Sequence, residues 1–82
     1  MRITEITDAE TADNVGVDRF AQALRVKLAK KRKQGRSGWN MPNRCSMSFL
    51  RKLLAEHVKK GDPVDIANIS MMIWNRQHPH RR

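Results

Sequence analysis

The sequence has few aromatic residues, a single cysteine and no long apolar run. Tyrosine is missing, and aromatic residues make up 5% of the chain. The one thiol, Cys45, can form no internal disulfide and supplies no cysteine-rich zinc site. The longest apolar run, Met71 to Trp74, is far shorter than the roughly 20 residues that a membrane-spanning helix needs. These absences exclude a disulfide-stabilised domain, a zinc finger and a transmembrane protein.

Length and apolar content limit the chain to one small domain. It has 82 residues, of which 39% are apolar, against roughly 45–50% in ordinary soluble domains. We therefore expect a small core, because a chain this short buries only roughly 60% of its unfolded surface. The first ten residues lack the apolar segment of a secretory signal, so we expect a cytoplasmic protein without a membrane partner.

Positive charge dominates the chain and is unevenly distributed. Lys and Arg number 17 and Asp and Glu number 8, which gives a net charge of +9. Residues 1–18 contain one base and five acids, so the rest of the chain is strongly basic and favours phosphate-bearing partners. From these changes in charge and composition along the chain we predict a flexible acidic arm over residues 1–15, a helical domain over 16–76 and a disordered basic tail over 77–82.

Apolar residues recur at helical spacing in three segments, and no segment alternates as a strand would. The first predicted helix spans residues 17–33, and a loop with two glycines and Trp39 follows over residues 34–43. The second helix begins near Ser46 or Ser48, either of which is a good N-cap. The pattern therefore predicts an all-α fold.

A sharp helix-to-helix turn is the clearest local signal. Gly61 suits the left-handed position that ends a helix, Asp62 the next N-cap and Pro63 the first helical position. We therefore predict a three-helix domain with a C-terminal αα-hairpin. The third helix carries more apolar residues than one stripe requires, namely Ile69, Met71, Met72, Ile73 and Trp74. This excess predicts a self-associating surface, most simply a homodimer, or one that binds a host protein.

Two features carry chemistry, and each has a plain structural alternative. Asp62 and Asp65 lie three apart, so both can hold a hard cation such as Mg²⁺, but capping of the third helix also explains them. Residues 25–36 contain seven bases and no acid, and they either bind phosphates of a nucleotide or nucleic acid or form a solvated helix face. Trp39 either stacks on a base or completes the core.

Several residues, taken in order, resemble a known family. The most specific parts are the Gly38-Trp39 element, preceded by Lys31 and Lys33, and the run Asp65-Ile66-Ala67-Asn68. Over roughly residues 20–76 the chain resembles small phage-associated members of the MazG-like all-α nucleoside triphosphate pyrophosphohydrolases. The resemblance implies a helical, usually oligomeric fold in which carboxylates from two helices hold Mg²⁺ against nucleotide phosphates. A phage-encoded chain would act in the cytoplasm of the bacterial host.

The resemblance also implies roles for individual residues. Glu56, Asp62 and Asp65 would hold Mg²⁺, and His57 would assist water. The implied ligand contacts are Lys27, Lys31, Lys33 and Arg36 to phosphate, Trp39 to the base, and Asn68. The family's first acidic motif retains one acid here, Glu56, while His57 and Lys60 stand at two other acidic positions. Because a lysine repels the cation, we expect a reduced form that binds with little or no hydrolysis.

Three functions from different classes follow. The preferred one is a small accessory protein that binds a nucleotide or polyphosphate. The second is a Mg²⁺-dependent nucleoside triphosphate pyrophosphohydrolase completed by dimerisation. The third is a nucleic-acid-binding protein, for which the basic run suffices and whose affinity falls steeply with salt. A helix-turn-helix reader is disfavoured, because the third helix is largely apolar and the bases lie on the first.

Overall fold

The computed structural model describes residues 8–79, which form three helices joined by one long and one short connection. Helix α1 spans Ala9–Lys33, α2 spans Met47–Lys60 and α3 spans Pro63–Gln77. No strand occurs among the described residues, which confirms the predicted all-α class. Within the same residues, no helix is long and apolar enough to cross a membrane.

Helix α1 begins eight residues before the predicted start at Val17. The carboxylate of Asp8 caps it, accepting hydrogen bonds from the Thr11 hydroxyl at 2.6 Å and from the Thr11 backbone N–H at 3.0 Å. These bonds, the hydroxyl bond most of all, lower the pKa of Asp8. Residues 9–15 are therefore helical, and the predicted arm is corrected over that range. The cap at Asp8 determines where α1 begins, although no apolar periodicity indicates a helix there. Residues 1–7 of the predicted arm lie outside the described residues.

The predicted hairpin between α2 and α3 is confirmed, together with its caps. Of the two serines considered, Ser46 is the N-cap of α2, and its hydroxyl accepts from the backbone N–H of Phe49 at 3.0 Å. Gly61 ends α2 with a φ of 84°, and Asp62 caps α3 by accepting from the N–H of Val64 at 2.9 Å. Pro63 opens α3 as predicted. Gly61, Asp62 and Pro63 thus define the hairpin through local backbone and capping interactions.

Helix α3 lies between the other two helices and carries most of the packing. It contacts both α1 and α2, whereas α1 and α2 do not contact each other within the described residues. Leu50 of α2 and Ile69 of α3 are 1% and 5% exposed and form the buried apolar core, while α1 buries no residue. The core is as small as the composition predicted. Because α1 and α2 both lean on α3, a gap remains between them.

The connection over residues 34–46 is fixed from α3 by one arginine. The guanidinium Nη1 of Arg76 donates to the backbone carbonyls of Trp39 and Cys45, each at 2.8 Å. Gly38 has a φ of 91°, and a Cβ built there would lie 2.9 Å from the guanidinium of Arg44. The exposed Arg44 side chain can move aside, so it is the positive φ that favours glycine at this position. The connection is thus held in a defined conformation beside the gap between α1 and α2.

The apolar residues expected to form a self-associating surface are mostly used inside the chain. Ile69 is buried, and Met71, Met72 and Ile73 are half-buried. Trp74 alone among these five is exposed, at 57%, and its ring stacks on His78 with 4.5 Å between centroids. Ile69 is therefore removed from the predicted surface. Dimerisation stays a prediction, with Trp74 as its remaining anchor.

Replacement of Gly61 by alanine tests the turn between α2 and α3. Nothing lies within 4 Å of a Cβ built at Gly61, so the cost is conformational and not steric. We expect Gly61→Ala to lower the free energy of unfolding by about 1 kcal/mol, because an L-residue is strained at this positive φ. Gly61→Asn, which tolerates the left-handed region better, should cost less. Urea unfolding followed by circular dichroism measures both; equal stability of Gly61→Ala and the parent chain would contradict the expectation.

Candidate ligand-binding cleft

The gap between α1 and α2 is a cleft of about 1030 Å³ with α3 as its floor. On α3 the lining residues Asp65, Asn68 and Met72 recur at spacings of three and four, which places them on one face of the helix. Asn68 is 4% exposed. The floor thus combines a carboxylate and an amide with apolar surface.

The two walls come from α1 with its following loop and from α2. On α1, Lys27 and Lys31 lie one helical turn apart, and Arg36 and Trp39 continue the wall into the loop. On α2 the stripe Leu50, Leu53, His57 and Lys60 faces the cleft. Helical periodicity therefore brings cations to both rims and apolar side chains to the interior.

A lysine lies at the two carboxylates that begin α3. The Nζ of Lys27 is 3.3 Å from a carboxylate oxygen of Asp65 and 3.6 Å from one of Asp62. The backbone N–H of Val64 is the main cause of a lowered pKa of Asp62, and the Lys27 ammonium lowers it further. The Nδ1 of His57 is 3.8 Å from the other Asp65 oxygen. One ammonium of the chain is thus shared between the two carboxylates.

The predicted Mg²⁺ site does not fit this arrangement. Mg²⁺ requires near-octahedral oxygen ligands, whereas here an ammonium group stands at both carboxylates and repels a second cation. Across residues 8–79 no three His, Cys, Asp or Glu side chains are placed to hold a metal ion. Glu56, the expected third ligand, is exposed on α2 and does not line the cleft. Asp62 acts as the cap of α3, and no chemical step is assigned to a metal.

Two buried polar atoms of residues that line the cleft have no hydrogen-bond partner among the described residues. They are Oδ1 of Asn68 and Nδ1 of His57. The other end of the Asn68 amide is engaged, because its Nδ2 donates to the backbone carbonyl of Leu24 at 3.3 Å. Buried polar groups in folded proteins are paired in roughly nine cases of ten, with protein or with water, so either water or a bound molecule must supply the partners of these two atoms.

Seven of the ten predicted site residues line the cleft. They are Lys27, Lys31, Arg36, Trp39, His57, Asp65 and Asn68. Lys33 is exposed elsewhere on α1, while Glu56 and Asp62 are outside the cleft as described above. Trp39 is half-buried in the cleft wall. The sequence allowed it either to stack on a base or to complete the core. The tertiary fold thus assembles most of the predicted residues, but of the three expected metal ligands it brings Asp62 and Asp65 to Lys27 and leaves Glu56 apart from them.

Sequence reasoning missed three residues that shape the site. Arg32 and Lys60 line the cleft, and Arg76 holds its loop wall in place. A signal for Arg76 existed, since it follows Ile73 by three and Ile69 by seven and so continues the apolar face of α3. A charged residue on a buried face needs buried acceptors, which here are two loop carbonyls.

Comparisons with protein-family models, with curated proteins and with solved structures give no significant match for this chain. The residues of the cleft alone therefore support a functional proposal.

Proposed function

We propose that the protein binds a phosphate-bearing ligand, a nucleotide or a polyphosphate, in the cleft between α1 and α2, without a resident metal ion and with little or no hydrolysis. The observation that supports this most is the charge of the cleft. Five cationic side chains line it, Lys27, Lys31, Arg32, Arg36 and Lys60, against the single carboxylate of Asp65.

The excess of positive charge is not compensated within the described residues. Of the five cationic side chains, Lys27 is the one that pairs with carboxylates among the described residues. The remaining four cations, three on α1 and its loop and one on α2, have no acidic partner within 4.0 Å among residues 8–79. Like charges in a concave site repel one another, so an anion that enters is favoured twice, by direct attraction and by relief of this repulsion.

The apolar lining favours a ligand with an organic part. Leu50, Leu53, Ile69 and Met72 form the interior, and Trp39 supplies an aromatic wall. The volume of about 1030 Å³ is at the upper end of the range of ordinary ligand pockets, about 300–1,000 Å³. A flat heterocycle would stack or pack here while its phosphates reach the cationic rim.

Calorimetric titration with tripolyphosphate and with ATP, each in EDTA and in Mg²⁺, tests the proposal. We expect saturable binding in EDTA that weakens as salt is raised, and no release of pyrophosphate from ATP. Absence of saturable binding in every condition would overturn the proposal. Binding or turnover that requires Mg²⁺ would overturn it in favour of the pyrophosphohydrolase alternative.

Two lysines on α1 provide a matched pair of variants. Lys31 lines the cleft and Lys33 does not, although they are two residues apart in one basic run. We expect Lys31→Gln to weaken tripolyphosphate binding by about tenfold, the effect of losing one charge-assisted contact, and Lys33→Gln to leave it nearly unchanged. Equal losses in the two variants would indicate that the net charge of α1, and not the cleft, determines affinity.

A nucleic-acid ligand is the second candidate, because part of the basic run faces away from the cleft. Arg25, Lys30 and Lys33 are exposed on α1 and do not line the cleft. An extended backbone would engage these side chains as well as the cleft. Single-stranded oligonucleotide binding that falls equally in Lys31→Gln and Lys33→Gln would favour this candidate, with the steep salt dependence of phosphate contacts.

A further inference from the structure

We infer that the floor of the cleft recognises a hydrogen-bond donor on the organic part of the ligand, and that Asn68 is the specificity-determining acceptor. The inference rests on the proposed function and deepens it. It selects a nucleotide, whose base and sugar carry N–H and O–H donors, over inorganic polyphosphate, which at neutral pH offers mainly acceptor oxygens.

The orientation of the Asn68 amide is fixed by its other contact. The group that faces it from α1 is the backbone carbonyl of Leu24, which can only accept a hydrogen bond. The amide nitrogen must therefore point toward Leu24, and the amide oxygen is left for the cleft. An amide that could flip would accept a hydrogen bond from one ligand and donate one to another. The Asn68 amide is fixed by Leu24 and therefore presents only its acceptor oxygen.

That acceptor is buried and has no partner among the described residues. Asn68 lines the cleft and is 4% exposed, and its buried Oδ1 has no hydrogen bond. A buried carbonyl without a donor is costly, so a ligand donor placed there gains the full hydrogen bond. A ligand that presents an acceptor instead meets electrostatic repulsion. The floor thus discriminates by the polarity of the approaching group.

The neighbouring groups reinforce this preference and orient the ligand. The carboxylate of Asp65 lies one turn before Asn68 on the same face of α3, and it too accepts hydrogen bonds. The cations of Lys31 and Arg36 lie farther along α1 and its loop than Lys27, which is held at the carboxylate end. Phosphates therefore bind away from the carboxylate of Asp65, and the donor-bearing part of the ligand lies over the floor at Asn68.

The test compares ATP with analogues that lack donors, by calorimetry in EDTA. Purine riboside triphosphate lacks the 6-amino group of ATP, and dideoxy-ATP lacks the sugar hydroxyls. We expect one of the two to bind about tenfold more weakly than ATP, and tripolyphosphate to bind more weakly still. The weaker analogue identifies the base or the sugar as the source of the donor. Equal binding by ATP and both analogues would overturn the inference while leaving the proposed function intact.

Two asparagines of α3 give the variant and its control. Asn68→Leu removes the acceptor, whereas Asn75→Leu changes an exposed amide whose bond is to Met71 in its own helix. The affinity ratio between ATP and the weaker analogue should fall to about one in Asn68→Leu and stay near tenfold in Asn75→Leu. A purely structural role of Asn68 would lower both affinities and keep the ratio. If Asn68→Leu does not fold, the wild-type ratio alone decides, and failure of every ligand to bind would overturn both proposals.

Discussion

Leu50→Ala is expected to lower the free energy of unfolding by about 3 kcal/mol, the usual cost of truncating a buried leucine. Leu50 is 1% exposed and is the largest fully buried side chain among the described residues. Truncation removes apolar surface and leaves a cavity that α2 and α3 cannot close, because each is fixed at the hairpin by its own caps. A core this small rarely supplies more than about 3–5 kcal/mol, so the variant should be largely unfolded.

Urea unfolding monitored by circular dichroism at 25 °C measures this loss. Val58→Ala is the control, since Val58 lies on the same helix but is 56% exposed. It should change stability by less than about 0.5 kcal/mol. If Leu50→Ala were as stable as Val58→Ala, the core would not be centred on the contact between α2 and α3.

Local signals in the sequence predicted the parts of the fold that local physics determines. Gly61, Asp62 and Pro63 act within a few residues of themselves, through a left-handed backbone, a side-chain cap and a fixed φ, so the hairpin was predictable in full. The start of α1 was not predictable from the apolar period, because the first turn of this helix, which Asp8 caps, contains no periodic apolar residues. Residues without an apolar stripe still form helix when a cap satisfies the first N–H groups.

The site was predictable in composition and not in geometry. Basic residues at helical spacing identified the wall of the cleft, since spacing alone places Lys27 and Lys31 on one face of α1. The contact of Lys27 with Asp62 and Asp65 joins residues far apart in sequence, and only the packing of α1 on α3 creates it. The same packing buries Asn68 against Leu24. A pair of carboxylates read from sequence alone therefore suggested a metal, where the fold supplies an ammonium.

The presence of the Lys27 ammonium where a metal ion was expected also determines which ligand fits the cleft. A phosphate bound at Asp62 and Asp65 would need a metal ion to bridge like charges, and the Lys27 ammonium that lies at both carboxylates repels such an ion. The carboxylate of Asp65 is consequently suited to donors, and the unpaired cations of α1 and its loop, Lys31, Arg32 and Arg36, are suited to anions.

Arg76→Met is the second variant with a large expected effect. Both loop carbonyls that Arg76 serves, those of Trp39 and Cys45, lose a charge-assisted bond of 2.8 Å, while methionine keeps most of the apolar stem. We expect the free energy of unfolding to fall by about 2–4 kcal/mol, because two part-buried acceptors are left without a donor. Urea unfolding measures it, with Arg51→Met, an exposed position on α2, as the control.

The same variant links the loop to the cleft. Trp39 is held at the cleft wall through its own backbone carbonyl, so without Arg76 its indole should lose a fixed position. At a temperature where Arg76→Met is still folded, ATP binding should weaken more than tripolyphosphate binding, since the aromatic wall serves the organic part of the ligand. Equal weakening of both ligands would show that the loop supports the cationic rim instead. Unchanged binding of both, with stability lost, would confine Arg76 to the fold and remove Trp39 from the site.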